Sequence, residues 1–136
     1  MSDDVVVPIT SDSDIVDARK AGRSLSSEIG LSRTDATLVA TAISEVARNI
    51  VEYAGKGEIV LALDNTGGRT GIRVLARDSG PGFDDIERAL SEASPTRRPR
   101  MGLAGARRLM DEFEVTSEEG KGTTVTMKKW KSVAGP

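Results

Sequence analysis

The chain has 136 residues, with 19 lysines and arginines against 21 aspartates and glutamates, and it contains no histidine and no cysteine. These absences exclude a Ser-His-Asp triad, a cysteine nucleophile, a Cys/His zinc site and a disulfide framework. A net charge of −2 and only four aromatic residues argue against a nucleic-acid partner. We expect one cytoplasmic domain over residues 1–136, without a membrane segment and with residues 130–136 as a tail.

The first half of the chain predicts a strand, two helices and a β-hairpin. The strand contains a proline, which lacks an amide donor and therefore favours a sheet edge. Each helix has apolar residues at helical spacing, follows a serine or threonine cap and ends at glycine. The strand covers Val5–Ile9, the helices run from Ser11 or Ser13 to Gly30 and from Ser32 or Thr34 to Gly55, and the hairpin joins strands 58–64 and 71–78 through residues 65–68.

The second half predicts a sharp turn, two more helices and two strands. The turn covers residues 78–82, and a short helix over 84–92 leads into a loop over 93–101 that contains two prolines. Apolar residues at helical spacing predict the next helix from Leu103 to Phe113. Strands over 114–117 and 123–130 complete the chain. This order predicts an α+β fold, a mostly antiparallel mixed sheet with the helices packed on one face.

Glu45 and Asn49 lie four residues apart on the second predicted helix, one above the other. At 100° per residue, their face lies opposite the apolar stripe of that helix. One interpretation is an ordinary solvated polar face. The alternative is a functional pair, because a carboxylate and an amide side by side can hold Mg²⁺ and orient a hydroxyl group.

Asp78 ends a predicted strand, in phase with Ile72, Val74 and Ala76, so alternation places its carboxylate on an apolar face. A carboxylate there needs a hydrogen-bond donor. It either caps the turn that contains Gly80 and Gly82 or accepts a hydrogen bond from an amino group of a ligand. Both interpretations remain open.

The other polar groups depend on their surroundings. Residues 120–124 (Gly-Lys-Gly-Thr-Thr) are by themselves a hairpin signature, and Thr123 and Thr124 gain interest only if their strand runs beside Asp78. A cluster of arginines is either solvated surface or a site for a phosphate or an acidic partner. It comprises Arg97, Arg98, Arg100, Arg107 and Arg108.

Together these motifs, in this order, resemble the GHKL (Bergerat) ATPases. They are Glu45-Val-Ala-Arg-Asn49, Asp78-Ser-Gly-Pro-Gly82, the helix entry Met101-Gly-Leu and Gly122-Thr-Thr. Residues 42–57 and 108–113 further resemble the RsbT-type serine/threonine switch kinases of bacterial stressosomes, and the likeness extends from Val5 to Trp130. The resemblance implies a Bergerat-type two-layer sandwich that binds Mg²⁺ and ATP.

The resemblance also implies roles for individual residues. Glu45 would be the general base and Asn49 the Mg²⁺ ligand. Asp78 would accept a hydrogen bond from the adenine amino group, and Thr124 would support both through hydrogen bonds. Thr123 would also belong to the nucleotide site, and Gly80 and Gly82 would shape the base pocket. Gly102 and Leu103 would open the helix that faces the phosphates.

One segment departs from the family pattern. The family has a glycine-rich loop before this last helix, whereas residues 97–103 here read Arg-Arg-Pro-Arg-Met-Gly-Leu. Either Arg98 and Arg100 replace the missing amide contacts with positive charge, or nucleotide binding is weak, because Pro99 has no donor.

The resemblance therefore implies a kinase that phosphorylates STAS-domain proteins and then activates a PP2C-type phosphatase in a sigma-factor pathway. The alternative is a non-catalytic binding module that acts by partner switching. Either a monomer or a homodimer fits the sequence.

Overall fold

The computed structural model describes residues 4–80, 102–118 and 120–132. None of the helices in these ranges is long and apolar enough to cross a membrane. The predicted helix over 84–92 and loop over 93–101 lie outside the described residues. The described elements, in chain order, are β1 (Val5–Ile9), α1 (Asp12–Ile29), α2 (Arg33–Tyr53), β2 (Gly57–Thr66), β3 (Arg69–Asp78), α3 (Gly102–Leu109), β4 (Glu112–Glu118) and β5 (Gly122–Trp130).

The five strands form one sheet in the order β1-β2-β3-β5-β4. All four pairings are antiparallel, so the described sheet is antiparallel throughout rather than mixed. Strand β1, which contains Pro8, lies at an edge, as its missing amide donor predicts. The predicted α+β class is confirmed.

The predicted ends of α1 and α2 are also found. Gly30 ends α1 with a φ of 101°, in the left-handed region that glycine adopts without steric cost. Ser32 caps α2, and its hydroxyl accepts a hydrogen bond from the Asp35 backbone amide at 3.0 Å. Ser11 occupies the cap position of α1 without a side-chain capping hydrogen bond.

The hydrophobic core lies between the helices and one face of the sheet. Helix α2 contacts both α1 and α3 and packs against the central strands. Alternate residues of the three central strands point into this core, as the pleat requires. The buried strand residues on this helical face are Ile59, Leu61, Ile72, Val74, Ala76, Val125 and Met127. No helix that the structure describes covers the opposite face of the sheet.

The structure corrects the end of the last predicted helix. Helix α3 stops at Leu109, and Phe113 belongs to β4, where it pairs with Met127. The Lys129 ammonium group donates to the Leu109 carbonyl oxygen at 2.9 Å, which satisfies a carbonyl at the helix end. Phe113 and Val115 alternate as strand residues do. Phe113 therefore fits both the helical spacing of the preceding apolar residues and the two-residue alternation of a strand. Its pairing with β5 places it in the strand.

Candidate functional site

Glu45 lies on α2 in a largely enclosed position. Its side chain is 11% exposed, and one of its carboxylate oxygens, Oε2, is 3.7 Å from Nη1 of Arg48. The buried surface of α2 extends beyond the predicted apolar stripe, because Ala42 and Val46 are also buried. Glu45 thus borders the buried surface, and the interpretation of a freely solvated polar face does not describe this residue. Asn49, one turn further on, is half-buried.

Asp78 lies at the end of β3 on the helical face of the sheet. The Gly80 backbone amide donates to its Oδ1 at 2.8 Å, so the carboxylate does cap the turn that follows. The other oxygen, Oδ2, accepts no hydrogen bond from any residue in the described ranges. The two interpretations of Asp78 are therefore compatible, since capping occupies one oxygen and leaves the second for another donor.

The register between β3 and β5 separates the two neighbouring threonines. Thr123 pairs with Asp78, and Thr124 pairs with Arg77. Residues that pair directly in an antiparallel sheet point to the same face, so Thr123 lies beside Asp78 and Thr124 on the opposite face. Thr123 is buried, and its hydroxyl is 2.8 Å from that of Ser117. The register thus places Thr123, rather than the Thr124 that the resemblance implies, on the same face as Asp78.

Three glycines allow neighbouring segments to approach the Asp78 turn closely. A Cβ atom at Gly122, whose φ is 116°, would lie 2.1 Å from the Asp78 carbonyl oxygen. A Cβ at Gly80 would lie 2.5 Å from Cβ of Ala54, and one at Gly57 would lie 2.5 Å from the Arg77 carbonyl oxygen. Any larger residue would push β5, α2 or β2 away from this turn. No local sequence pattern signals the close tertiary approach at Gly57.

The same contacts connect the two halves of the predicted site. Ala54, at the C-terminal cap of α2, lies against Gly80, and Ile50 lies against Gly57. Asn49 directly precedes Ile50 and lies about one and a half turns before Ala54. The helix that carries the Glu45–Asn49 pair thus packs its C-terminal end against the Asp78 turn.

Of the remaining predicted site residues, the structure describes some and not others. Gly102 begins α3, and Leu103 is a buried member of the core. Gly82, Arg98 and Arg100 lie outside the described residues. The described ranges contain no cluster of three or more acidic side chains that could hold a metal ion by themselves. Mg²⁺ is often held by one or two protein ligands plus substrate phosphates and water, and Asn49 is compatible with that mode.

Comparison with known proteins gives the class. A family model described as a histidine kinase-like ATPase domain matches residues 9–129. The serine/threonine-protein kinase RsbT of Bacillus subtilis is 41% identical over 131 residues, which cover 96% of this chain and 98% of the relative. An anti-sigma F factor of Caldanaerobacter subterraneus is 34% identical over 102 residues, 68% of each chain.

A solved structure shares the fold. The crystal structure of the RsbU and RsbW domains of a Mycobacterium tuberculosis protein superposes with a TM-score of 0.66 at 23% identity, covering 98% of this chain and 34% of that one. The chain belongs to the histidine kinase-like (GHKL) ATPase family. The predicted enzyme class, a serine/threonine kinase of GHKL type, is confirmed at the level of class by the family match and by the likeness to RsbT.

Proposed function

We propose that this chain transfers the γ-phosphoryl group of Mg-ATP to a serine or threonine of a STAS-domain protein in the bacterial cytoplasm. The observation that supports this most is the arrangement of α2. It carries a largely enclosed carboxylate, Glu45, next to an amide, Asn49, and its end packs on the Asp78 turn. A catalyst of phosphoryl transfer mainly positions its reactants and stabilises charge, so this small set of groups suffices.

In this proposal each end of the nucleotide has its own residues. Oδ2 of Asp78 accepts a hydrogen bond from the adenine amino group, and Thr123 supports it from β5. The close packing at Gly80 and Gly122 holds the Asp78 turn in place. Asn49 would hold the Mg²⁺ ion, and the ion would supply positive charge to neutralise the phosphates. Glu45 accepts the proton of the acceptor hydroxyl as its oxygen bonds to the γ-phosphorus, while the bond from that phosphorus to the β,γ-bridging oxygen breaks and ADP leaves.

In this proposal the start of α3 and the segment before it bind the phosphate groups of ATP. The N-terminus of α3 at Gly102 offers backbone amides to the phosphates, with Leu103 anchoring the helix in the core. Arg98 and Arg100 supply positive charge where glycine amides serve in the family, and Gly82 borders the base. Arginine suits this role because its guanidinium group binds phosphate oxygens in pairs.

The downstream step in the proposal is partner switching. After it phosphorylates the STAS-domain protein, the released chain binds and activates a PP2C-type phosphatase that acts in a sigma-factor pathway. Support comes from the family: one relative is named a serine/threonine-protein kinase and others anti-sigma F factors. A homodimer is compatible with this scheme, and sedimentation of the free chain tests it.

The second candidate is a non-catalytic module of the same fold that switches partners without transferring phosphate. It is favoured by the sequence over 97–101, where Pro99 lacks an amide donor and glycines are absent. A thermal shift with Mg-ATP separates the two candidates. A ligand at 100 times its Kd stabilises the fold by about 2.7 kcal/mol, and no shift at millimolar Mg-ATP would favour the module.

The decisive experiment replaces Glu45 and follows transfer of labelled phosphate from ATP to a STAS-domain protein. Glu45→Gln keeps the shape of the side chain but removes the base, so we expect transfer to fall about 10²- to 10⁴-fold with the fold intact. Glu28→Gln, an exposed glutamate on α1, is the matched control and should transfer at the wild-type rate. Unchanged transfer by Glu45→Gln would show that Glu45 is not the base.

A further inference from the structure

Arg48 contacts Glu45 but has no place in the scheme above. Its Nη1 is 3.7 Å from Oε2 of Glu45, three residues back on α2, and its side chain is 35% exposed. Exposed ion pairs at this spacing usually contribute little to stability. The partner here, however, is 11% exposed, so water screens the pair less than on an open helix surface. The guanidinium group is therefore close enough to attract the Glu45 carboxylate towards its own side.

The helical geometry places Arg48 and Asn49 on opposite sides of Glu45. At 100° per residue, Arg48 lies about 60° to one side of Glu45 and Asn49 about 40° to the other. Arg48 also lines a groove of about 450 Å³ between α1 and α2, together with Thr41, Ser44 and Glu52 from the same helix. The guanidinium group thus approaches Glu45 from the side away from the proposed Mg²⁺ ligand.

We propose that Arg48 is a positioning residue that holds the Glu45 carboxylate in the orientation needed to accept the proton of the acceptor hydroxyl. This inference rests on the proposed kinase function. A guanidinium group orients a carboxylate well because it is rigid, planar and always charged. Because Arg48 lies away from Asn49, it affects the transfer step and leaves Mg-ATP binding unchanged.

The test measures single-turnover phosphate transfer from saturating Mg-ATP to a STAS-domain protein, and separately the affinity for Mg-ATP. Displacing a catalytic group by about 1 Å costs up to 10²-fold in rate, so we expect Arg48→Ala to slow transfer about 10- to 100-fold. Its Kd for Mg-ATP should stay within about twofold of wild type, because Arg48 lies away from Asn49. A twofold change in Kd corresponds to less than about 0.5 kcal/mol of binding free energy. Arg48→Lys keeps the charge and should recover part of the rate.

Two controls exclude a merely structural effect. Arg33→Ala removes an exposed arginine from the first turn of α2 and should change neither rate nor affinity. In a Glu45→Gln background, Arg48→Ala should cause no further loss, because a residue that acts through Glu45 has nothing left to position.

The following results would overturn the positioning role of Arg48. Transfer by Arg48→Ala at the wild-type rate overturns it while leaving the kinase function in place. Equal losses of rate and of Mg-ATP affinity also overturn it, since Arg48 would then serve the nucleotide. A further loss of transfer rate when Arg48→Ala is added to Glu45→Gln also overturns the inference, because Arg48 would then act independently of Glu45. A wild-type chain that transfers no phosphate overturns the proposed function, and the inference with it.

Discussion

Gly122 and Asp78 are in such close contact that the first must be glycine for the second to keep its place. A Cβ atom at residue 122 would lie 2.1 Å from the Asp78 carbonyl oxygen and 2.9 Å from Cα of Ser79. The left-handed φ of 116° at Gly122 adds a second requirement for glycine. The start of β5 therefore constrains the position of the Asp78 backbone, from which the carboxylate extends.

The first prediction concerns this contact. We expect Gly122→Ala to lower the free energy of unfolding and to abolish the Mg-ATP thermal shift, because the added methyl group displaces the Asp78 turn. Gly120→Ala is the matched control: it has a φ of 82° but no atom within 4 Å of the added Cβ. It should cost only the backbone strain, about 1 kcal/mol, and keep the thermal shift. Urea unfolding with and without Mg-ATP measures both quantities, and equal losses in the two variants would refute the packing argument.

The second prediction separates the two roles of Asp78. In Asp78→Asn the amide oxygen still accepts from the Gly80 amide, so the turn and the stability should persist. The amide nitrogen, however, replaces Oδ2 and is a donor, which cannot accept from an adenine amino group. Losing a hydrogen bond to a charged group costs about 1.5–3 kcal/mol, so the Kd for Mg-ATP should rise about 10- to 100-fold by calorimetry. Wild-type affinity in this variant would mean that Asp78 serves only the turn.

The third prediction uses neighbouring threonines on opposite faces of β5. Thr123→Val removes the hydroxyl beside Asp78 at nearly constant volume and should weaken Mg-ATP binding about 2- to 10-fold, the equivalent of one neutral hydrogen bond. Thr124→Val makes the same chemical change beside Arg77 and should leave the affinity unchanged. If Thr124→Val has the larger effect in the same titration, the assignment to Thr123 is wrong.

The fourth prediction concerns acid stability, through Asp64 on the face of the sheet away from the helices. The Thr66 hydroxyl donates to this buried carboxylate, and Lys128 lies 3.2 Å away. These contacts hold the pKa of Asp64 below its ordinary value of 3.8. A lowered folded-state pKa stabilises the fold above the unfolded value, and this stabilisation is lost as the pH falls through the folded value.

Urea unfolding of wild type and Asp64→Asn at a series of pH values tests the sign. Wild type should be the more stable at pH 6, and the difference should shrink below about pH 4, where the unfolded carboxyl group becomes protonated. Asp17→Asn, an exposed position on α1, serves as the control. A difference that stays constant down to pH 2 would exclude a pH-linked contribution from Asp64.

Local periodicity was sufficient to predict much of this molecule. The four-residue spacing of Glu45 and Asn49 defines one helix face, and the alternation that ends at Asp78 defines one sheet face, whatever the rest of the chain does. The cap at Gly30 follows from the left-handed backbone that glycine adopts, and the cap at Ser32 follows from its side-chain hydroxyl. These features depend on residues within one turn or one strand, which a single sequence displays.

The features that escaped prediction depend on residues far apart in the chain. Phe113 fits both periods, and only its pairing with Met127 places it in a strand. Thr123 and Thr124 are equivalent until the register with β3 is known, because a shift of one residue exchanges their faces. The close approach of Gly122 to Asp78 joins segments 44 residues apart in sequence, and no local pattern encodes it.

The face of the sheet that no described helix covers is suitable for labelling. Residues of β5 alternate between the helical face and this opposite face, so a probe on the opposite face reports movement of the strand without entering the proposed site. Thr126 points to that side, beside Glu114 and Leu75. The chain contains no cysteine, so Thr126→Cys would give a single thiol for a fluorescent or spin label, one layer of backbone away from the proposed nucleotide site.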